Sequence, residues 1–366
     1  MAHDSLYAQP QAPQPSPAGG PRAGAGKAPV PARLAPLLRW DSAVVVALLL
    51  VVLGSALLVD GFAASQNIRF LLLDAVAIAL IALPMTLVIV TGEIDLSVAS
   101  TLGLCSAVMG HLWMEGLALE LIVPLVVLLG AVLGAVNGLF VTAFGLPSLA
   151  VTIGTLAAYR GLAFVVLGDE AVADFPFDWT DAATGTVLGD VLPTVAVLTL
   201  VLAVGFGVVL HRTPFGRSLY AIGNNAEAAR FTGLPVARRK FWLFVASGAV
   251  AALAGVYWTL RYASARADNG EGLELAVVAA VLLGGVSIFG GRGTLPGVLA
   301  GVLLLGTLRN ALQLADVQAQ TLDIVTGSLL IASVVVPNAV TMTRARLRAR
   351  RAGARPNDLS LNDRKE

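Results

Sequence analysis

Long uninterrupted apolar segments recur along this chain and limit its possible folds more than any other feature. Residues 43–59, for example, contain no charged side chain. A helix needs about 20 such residues to cross a hydrocarbon core about 30 Å thick. Charged residues make up only 13% of the sequence, whereas a soluble protein has about 25%. Because the apolar runs do not alternate with polar residues, they favour helices over a transmembrane β-barrel. The sequence predicts an all-α polytopic membrane protein.

About ten transmembrane helices fit the apolar pattern, within a range of eight to ten. The third, eighth and ninth segments are short and contain Gly or Ser, so we expect them to be broken or partly re-entrant where protein covers the backbone. The predicted spans are 42–59, 70–90, 97–113, 119–141, 147–167, 190–211, 240–260, 273–289, 295–312 and 320–341.

The segments outside the spans predict the domain organisation and the orientation. Residues 1–38 form a Pro/Ala/Gly-rich tail with few large apolar side chains, which predicts disorder. Residues 39–343 form the transmembrane domain, with membrane lipid as its surroundings, and 344–366 form a basic cytoplasmic tail. With both termini in the cytoplasm, 19 of the 24 Lys and Arg residues lie inside, as the positive-inside rule expects. The acidic loop 168–189 then lies outside.

Several chemistries are absent from the sequence. No GxxxxGK[ST] motif occurs, so the chain has no Walker A loop for a nucleotide. One cysteine and three scattered histidines offer no metal-ligand spacing. A net charge of +1 gives no general attraction to nucleic acid. We therefore expect no catalytic residues, cofactor, metal or nucleic acid partner, and the classes left are transporter, channel, receptor and structural membrane protein.

Polar residues within the apolar spans are candidates for a solute path. Asn137, Thr152, Thr155 and Arg160 lie on two neighbouring spans, and the two threonines share a helix face because they are three residues apart. The alternative is that these side chains form hydrogen bonds between helices. Ionisable residues inside a membrane usually face a bundle interior or a wet cavity; besides Arg160, these are Asp74, Arg309 and Asp323.

Two glycine-containing motifs predict tight turns. Gly92 can end one helix because glycine tolerates a positive φ, and Asp95 or Ser97 can cap the next helix. Glu93 lies between them. The second motif contains Gly290, Gly291 and Gly293, and lacks the GxGxxG spacing of a nucleotide-binding loop, so it predicts close packing and a short turn.

Residues 224–234 have the sequence of a short helix in the longest basic loop. Asn224 or Asn225 can cap its first turn, Gly233 can end it, and the helix formers between them are Ala226, Glu227, Ala228 and Ala229. The alternative is a solvated loop whose arginines only fix the orientation.

Four ordered motifs resemble the inner-membrane permeases of ABC sugar importers of the ribose, xylose and galactose type. They are TGEIDLSVAS (91–100), NGLFVTAFGLPSLAVTIGTLAAYRG (137–161), RTPFGRSLYAIGNNAEAARFTGLPV (212–236) and ELAVVAAVLLGGVSIFGGRGTLPG (274–297). Residues 82–107 are most similar to the autoinducer-2 and rhamnose subgroup. Pro84 and Glu93 stand where many ribose-type members have glycine, which weakens a ribose or galactose assignment.

The resemblance implies a fold like the type II ABC importer permeases and a function in importing a monosaccharide or autoinducer-2 across the cytoplasmic membrane of a prokaryote. It implies three partners: an ABC ATPase subunit, a second permease subunit that is identical or paralogous, and an extracytoplasmic solute-binding protein. It also implies that residues 224–234 dock into the ATPase. The alternatives are a permease for nucleosides or branched-chain amino acids, or a stand-alone channel or secondary carrier.

Overall fold

A computed structural model describes residues 40–188, 191–318, 320–322 and 324–333, and positions 335, 339 and 342. The predicted tails 1–38 and 344–366 and the candidate path residue Asp323 lie outside the described residues.

The described chain is almost entirely helical, with one short antiparallel pair of strands, β1 (Thr186–Leu188) and β2 (Leu192–Pro193). Residues 320–322 and 324–333 are also helical. The named helices are α1 (Trp40–Leu58), α2 (Ser65–Val90), α3 (Val98–Met114), α4 (Leu119–Thr142), α5 (Ser148–Leu167), α6 (Phe177–Thr184), α7 (Thr194–Arg212), α8 (Pro214–Asn224), α9 (Ala226–Phe231), α10 (Val236–Tyr262), α11 (Leu273–Leu283) and α12 (Leu295–Leu314).

The first nine predicted spans each coincide with a helix. Among the described residues, six helices are long and apolar enough to cross a membrane: α2, α4, α5, α7, α10 and α12. Shorter apolar helices are Ser42–Leu58, α3 and α11. The all-α polytopic prediction is confirmed. The eighth span is broken as expected, because α11 stops at Leu283, before the predicted end at 289, and Gly285 takes a φ of +93°. The third span, expected to be broken, is a continuous 17-residue helix. The ninth is a full 20-residue helix.

Glycines allow α4 and α10 to cross at backbone distance. A Cβ built on Gly248 would lie 2.1 Å from the carbonyl oxygen of Gly130, and one on Gly134 would lie 2.2 Å from that of Phe244. Membrane helices associate largely through such close van der Waals packing, since lipid supplies no hydrophobic drive between them. This crossing and the buried part of α2, residues 75–90, form the centre of the bundle.

Two sets of connections mark the two ends of the bundle. At one end, which we call the α6 face, Val172 and Ala265 pair through two backbone hydrogen bonds of 2.8–2.9 Å, and Asn67 of α2 bonds to Asn310 of α12. At the opposite end, which we call the α8–α9 face, the Tyr220 hydroxyl donates to the Gly293 carbonyl over 2.8 Å.

Candidate functional site

The turn between α2 and α3 is built on Gly92, whose φ is +84°. Its N–H donates to the carbonyl of Ile89, and the N–H of Glu93 donates to that of Val88, so the last carbonyls of α2 are satisfied. This confirms the predicted helix end. Of the two predicted caps of α3, Asp95 or Ser97, the Ser97 side chain makes no cap bond. Asp95 Oδ1 instead accepts from the Ser97 backbone N–H (3.1 Å) and hydroxyl (2.7 Å).

Asp95 joins this turn to two further helices. Its Oδ2 accepts from the Ser247 hydroxyl of α10 over 2.8 Å, and Asn137 Nδ2 of α4 donates to Ser97 Oγ over 2.8 Å. All four side chains are buried. A buried carboxylate is costly unless it is hydrogen-bonded, and here it fixes the position of residues 95–97 relative to α4 and α10.

The other candidate path residues also form hydrogen bonds to backbone. Thr152 donates to the Ile94 carbonyl (3.3 Å), and Thr155 donates to Val151 within its own helix (3.1 Å). Arg160 donates to three carbonyls, those of Ala267 (2.6 Å), Asn269 (3.0 Å) and Ala99 (3.3 Å). The bonds of Asn137, Thr152 and Arg160 join separate segments, as the alternative interpretation expects, whereas the bond of Thr155 stays within α5. None of the four residues lines either of the two cavities described below. Their role in solute passage stays a prediction.

Glu93, which replaces a glycine of the family motif, has its own partner. Its carboxylate forms an ion pair with Lys240 of α10, and the two side chains are 17% and 14% exposed. The pair lies in the same turn as the Asp95 cluster and adds a second link to α10. The sequence offered no signal for it, since 147 residues separate the two partners.

Two short helices follow α7 on the α8–α9 face. α9 spans Ala226–Phe231, with Asn225 Oδ1 accepting from the Ala228 N–H (2.8 Å) and Gly233 after it at a φ of +83°. The predicted helix 224–234 is therefore shorter, and Asn224 is the last residue of α8 instead. α8 was missed, although the Thr213-Pro214 pair, with the Thr213 side chain accepting from the Gly216 N–H, is a typical helix start.

The burial of the individual α9 side chains shows which of them can contact a partner protein. Ala229 is buried against Ile222 and Val236, so its small side chain serves packing within the subunit and is not exposed to a partner protein. Ala228 is exposed, as is Glu227. Phe231, which the sequence analysis missed, is 85% exposed.

Three chain segments meet backbone to backbone beside these helices. They are residues 90–92, at the end of α2 and in the turn after it, Gly223 of α8, and the loop 287–293. Together we call them the glycine junction. The Gly291 N–H donates to the Val90 carbonyl over 2.8 Å. A Cβ on Gly223 would lie 1.9 Å from that same oxygen and 2.4 Å from the Gly291 nitrogen.

The loop side of the junction needs glycine for its conformation as well as its space. Gly290, Gly291 and Gly293 have φ values of +80°, +72° and +143°, which side-chain-bearing residues rarely adopt. A Cβ on Gly290 would also lie 2.9 Å from the Gly92 nitrogen. The predicted close packing and turn are confirmed.

Comparison with known proteins identifies the family. The family described as "Branched-chain amino acid transport system / permease component" matches residues 67–334. The chain belongs to this permease family. A Yersinia enterocolitica protein named autoinducer 2 import system permease protein LsrD is 36% identical over 277 residues, 74% of this chain and 83% of that protein. LsrD of Yersinia pseudotuberculosis is 35% identical over 294 residues, 77% of this chain and 87% of that protein. No solved structure matches the chain.

The expected resemblance to ABC sugar permeases is thereby confirmed. The protein is a multi-pass membrane permease component of an ABC importer, a transporter subunit and not an ATPase. The family match includes the glycine junction, α8, α9 and the Asp95 cluster, which all fall within residues 67–334.

Proposed function

We propose that this permease translocates a monosaccharide similar to rhamnose or ribose, or the sugar-like signal autoinducer-2, inward across the cytoplasmic membrane of a prokaryote. The names of the two LsrD relatives and the IDLSV motif at 94–98 support this substrate class. ATP hydrolysis belongs to a separate ATPase subunit, a second identical or paralogous permease completes the path, and a solute-binding protein delivers the cargo from outside.

The α8–α9 face is the cytoplasmic face in this proposal. Exposed arginines are concentrated there, as expected for the inner side of a membrane protein: Arg212, Arg217, Arg230, Arg238 and Arg292. The loop with α6 carries five acidic residues and no basic one between 168 and 189, and it lies outside.

Exposed Phe231 is the observation that carries the coupling role of α9. An aromatic ring 85% exposed on a six-residue helix has little reason to face water, and buried aromatic anchors dominate many protein interfaces. The ring extends from a helix that is capped by Asn225 and packed through Ala229, so the backbone that carries it has a fixed position. We infer that Phe231 and Ala228 enter a groove of the ATPase.

The test uses the full importer reconstituted in liposomes with its ATPase and binding protein. We expect Phe231→Ala and Ala228→Glu to insert normally but to lose most solute-stimulated ATP hydrolysis and uptake, since loss of one aromatic anchor costs about 2 kcal/mol or more of binding. Ala143→Glu and Phe144→Ala are matched controls, because both residues are exposed in a different loop of the same face. Wild-type coupling in both α9 variants would refute the docking role.

The same liposomes test the substrate class. We expect the wild-type complex to take up autoinducer-2, rhamnose or ribose. The family description favours a second candidate, branched-chain amino acid import. Uptake of leucine without uptake of any sugar would replace the proposed function with that one.

A further inference from the structure

A cavity opens at the α6 face, away from Asn137, Thr152 and Thr155, and Arg309, one of the ionisable residues expected to face a wet cavity, lines it. We call it the polar cavity after Glu271, Arg309 and Thr326 in its wall. It has a volume of about 520 Å³ and lies between α10, the start of α11, the end of α12 and residues 326–330, within the roughly 300–1,000 Å³ typical of small-molecule sites. Its walls include Trp258, Glu271, Gly272, Arg309, Thr326 and Leu330.

The walls combine the groups that a polyhydroxylated molecule requires. Glu271 brings a carboxylate that accepts hydrogen bonds, and Arg309 brings a guanidinium that donates them. Arg309 Nε donates to Thr326 Oγ1 over 3.2 Å, which orients the guanidinium. Trp258 adds an aromatic surface, held by the Tyr262 ring with centroids 5.0 Å apart. A few placed polar groups beside apolar and aromatic walls are the usual composition of a ligand site.

A second, more open cavity adjoins the first along α11 and residues 330–331. Its volume is about 400 Å³, and Ile, Leu and Val residues line it, among them Leu96, Leu282 and Ile288. Leu330 lines both cavities. On α11, the polar cavity meets Leu273 and Leu275 and the apolar one meets Leu282, so the two lie in succession from the α6 face inward.

We propose that the polar cavity is the outward solute site of this permease, for a small, uncharged, polyhydroxylated molecule. The apolar cavity beneath it is then the segment of the path that closes before or after the solute passes. This inference rests on the proposed function. An apolar constriction blocks water and ions by dewetting when it is closed. A polar site with few partners above it releases its solute readily, which transport requires.

The experiment measures initial uptake by the complete importer in liposomes, with the sugar or autoinducer-2 that the wild type carries and with saturating binding protein. We expect Glu271→Gln to slow uptake about tenfold or more, since a hydrogen bond to a charged group contributes this much to binding. We expect Trp258→Leu to slow uptake by a similar factor, because loss of an aromatic contact with a ligand costs about as much. Glu274→Gln, one turn along on α11, and Trp242→Leu, at the opposite end of α10, are matched controls that should keep the wild-type rate, because neither residue lines the cavity.

Thiol labelling gives a second measurement that does not depend on these variants. Gly327 is exposed in the cavity wall with open space around its Cα, so Gly327→Cys in a Cys105→Ala background should fold. We expect a thiol reagent on the α6 side to label it, and solute-loaded binding protein to slow the labelling.

The outcomes separate the two claims. One outcome refutes the site and leaves the proposed function standing. In it, the wild type carries a sugar, both cavity variants keep the wild-type uptake rate, and the labelling rate of Gly327→Cys does not change with solute. If the wild type carries leucine and no sugar, the proposed function fails, and with it the uncharged ligand class assigned to the cavity.

Discussion

Gly223 is the position at which one added carbon should disconnect α8 and α9 from the bundle. In Gly223→Ala the new Cβ would lie 1.9 Å from the Val90 carbonyl oxygen and 2.4 Å from the Gly291 nitrogen. Both are backbone atoms, so no side chain can rotate away. Reaching an ordinary contact distance requires the segments to separate by roughly 1.5 Å, which is enough to break the 2.8 Å hydrogen bond between Gly291 and Val90.

The cost follows from these contacts. Overpacking a tight site costs about 1–3 kcal/mol, and a buried backbone N–H left without an acceptor costs about as much. A coupling free energy of 1–3 kcal/mol corresponds to about a 5- to 150-fold effect. We therefore expect Gly223→Ala to lower the ratio of solute taken up to ATP hydrolysed by at least about fivefold.

The assay compares uptake and hydrolysis in the same liposomes and checks folding separately. Cys105 is the chain's single cysteine and is fully buried, so a thiol-reactive dye reports unfolding on heating. Gly205→Ala is the matched control, since a Cβ there meets nothing within 4 Å. A Gly223→Ala importer that melts like the control and keeps the wild-type ratio would refute the role of the glycine junction in coupling.

Three further outcomes test the topology, the helix packing and the buried ion pair. A cysteine at Asp178 should react with impermeant thiol reagents added outside the cell, since Lys and Arg concentrate on the opposite face; labelling only from inside would invert the topology. Gly248→Ala should lower Tm, because its Cβ would lie 2.1 Å from the Gly130 oxygen and overpacking costs about 1–3 kcal/mol; an unchanged Tm would contradict this crossing. Lys240→Met should destabilise by up to about 3 kcal/mol by leaving the Glu93 carboxylate unpaired, and adding Glu93→Leu should restore most of the loss; no recovery would contradict the pair.

Hydrophobic length predicted most of the fold because a membrane forces each apolar segment of sufficient length into a helix. The predicted helix ends are wrong where the backbone conformation of glycine, and not hydropathy, decides where a helix stops. The apolar run after Leu283 continues to Phe289, but Gly284 and Gly285 end α11 within it. α8 was missed because it follows α7 without an intervening loop and mixes apolar with polar residues. Its Thr213-Pro214 start was the available signal.

Only those parts of the candidate site that depend on residues close together in the sequence could be predicted. The Asn225 cap and the Gly92 turn depend on neighbours in sequence, and both were predicted. The bond from Asp95 to Ser247 and the ion pair of Glu93 with Lys240 join residues about 150 positions apart. A single sequence carries no record of such pairs, so it could not show that Asn137, Thr152 and Arg160 bond to other segments while Thr155 bonds within α5.

The positions of these links define a continuous route from α9 to the centre of the bundle. α9 packs on α8 through Ala229 and Ile222, and α8 meets the end of α2 at Gly223 with only backbone between them. In the turn between α2 and α3, the hydrogen bonds of Asp95 and Ser97 link residues 95–97 to α4 and α10. Glycine contacts have no flexible side chains to absorb a displacement, and packed interfaces shift between discrete arrangements instead of deforming gradually. We therefore expect a movement imposed on α9 to reach the α2–α3 turn. Because Ile94 and Leu96 of that turn line the apolar cavity, the route ends at the segment that we propose opens and closes.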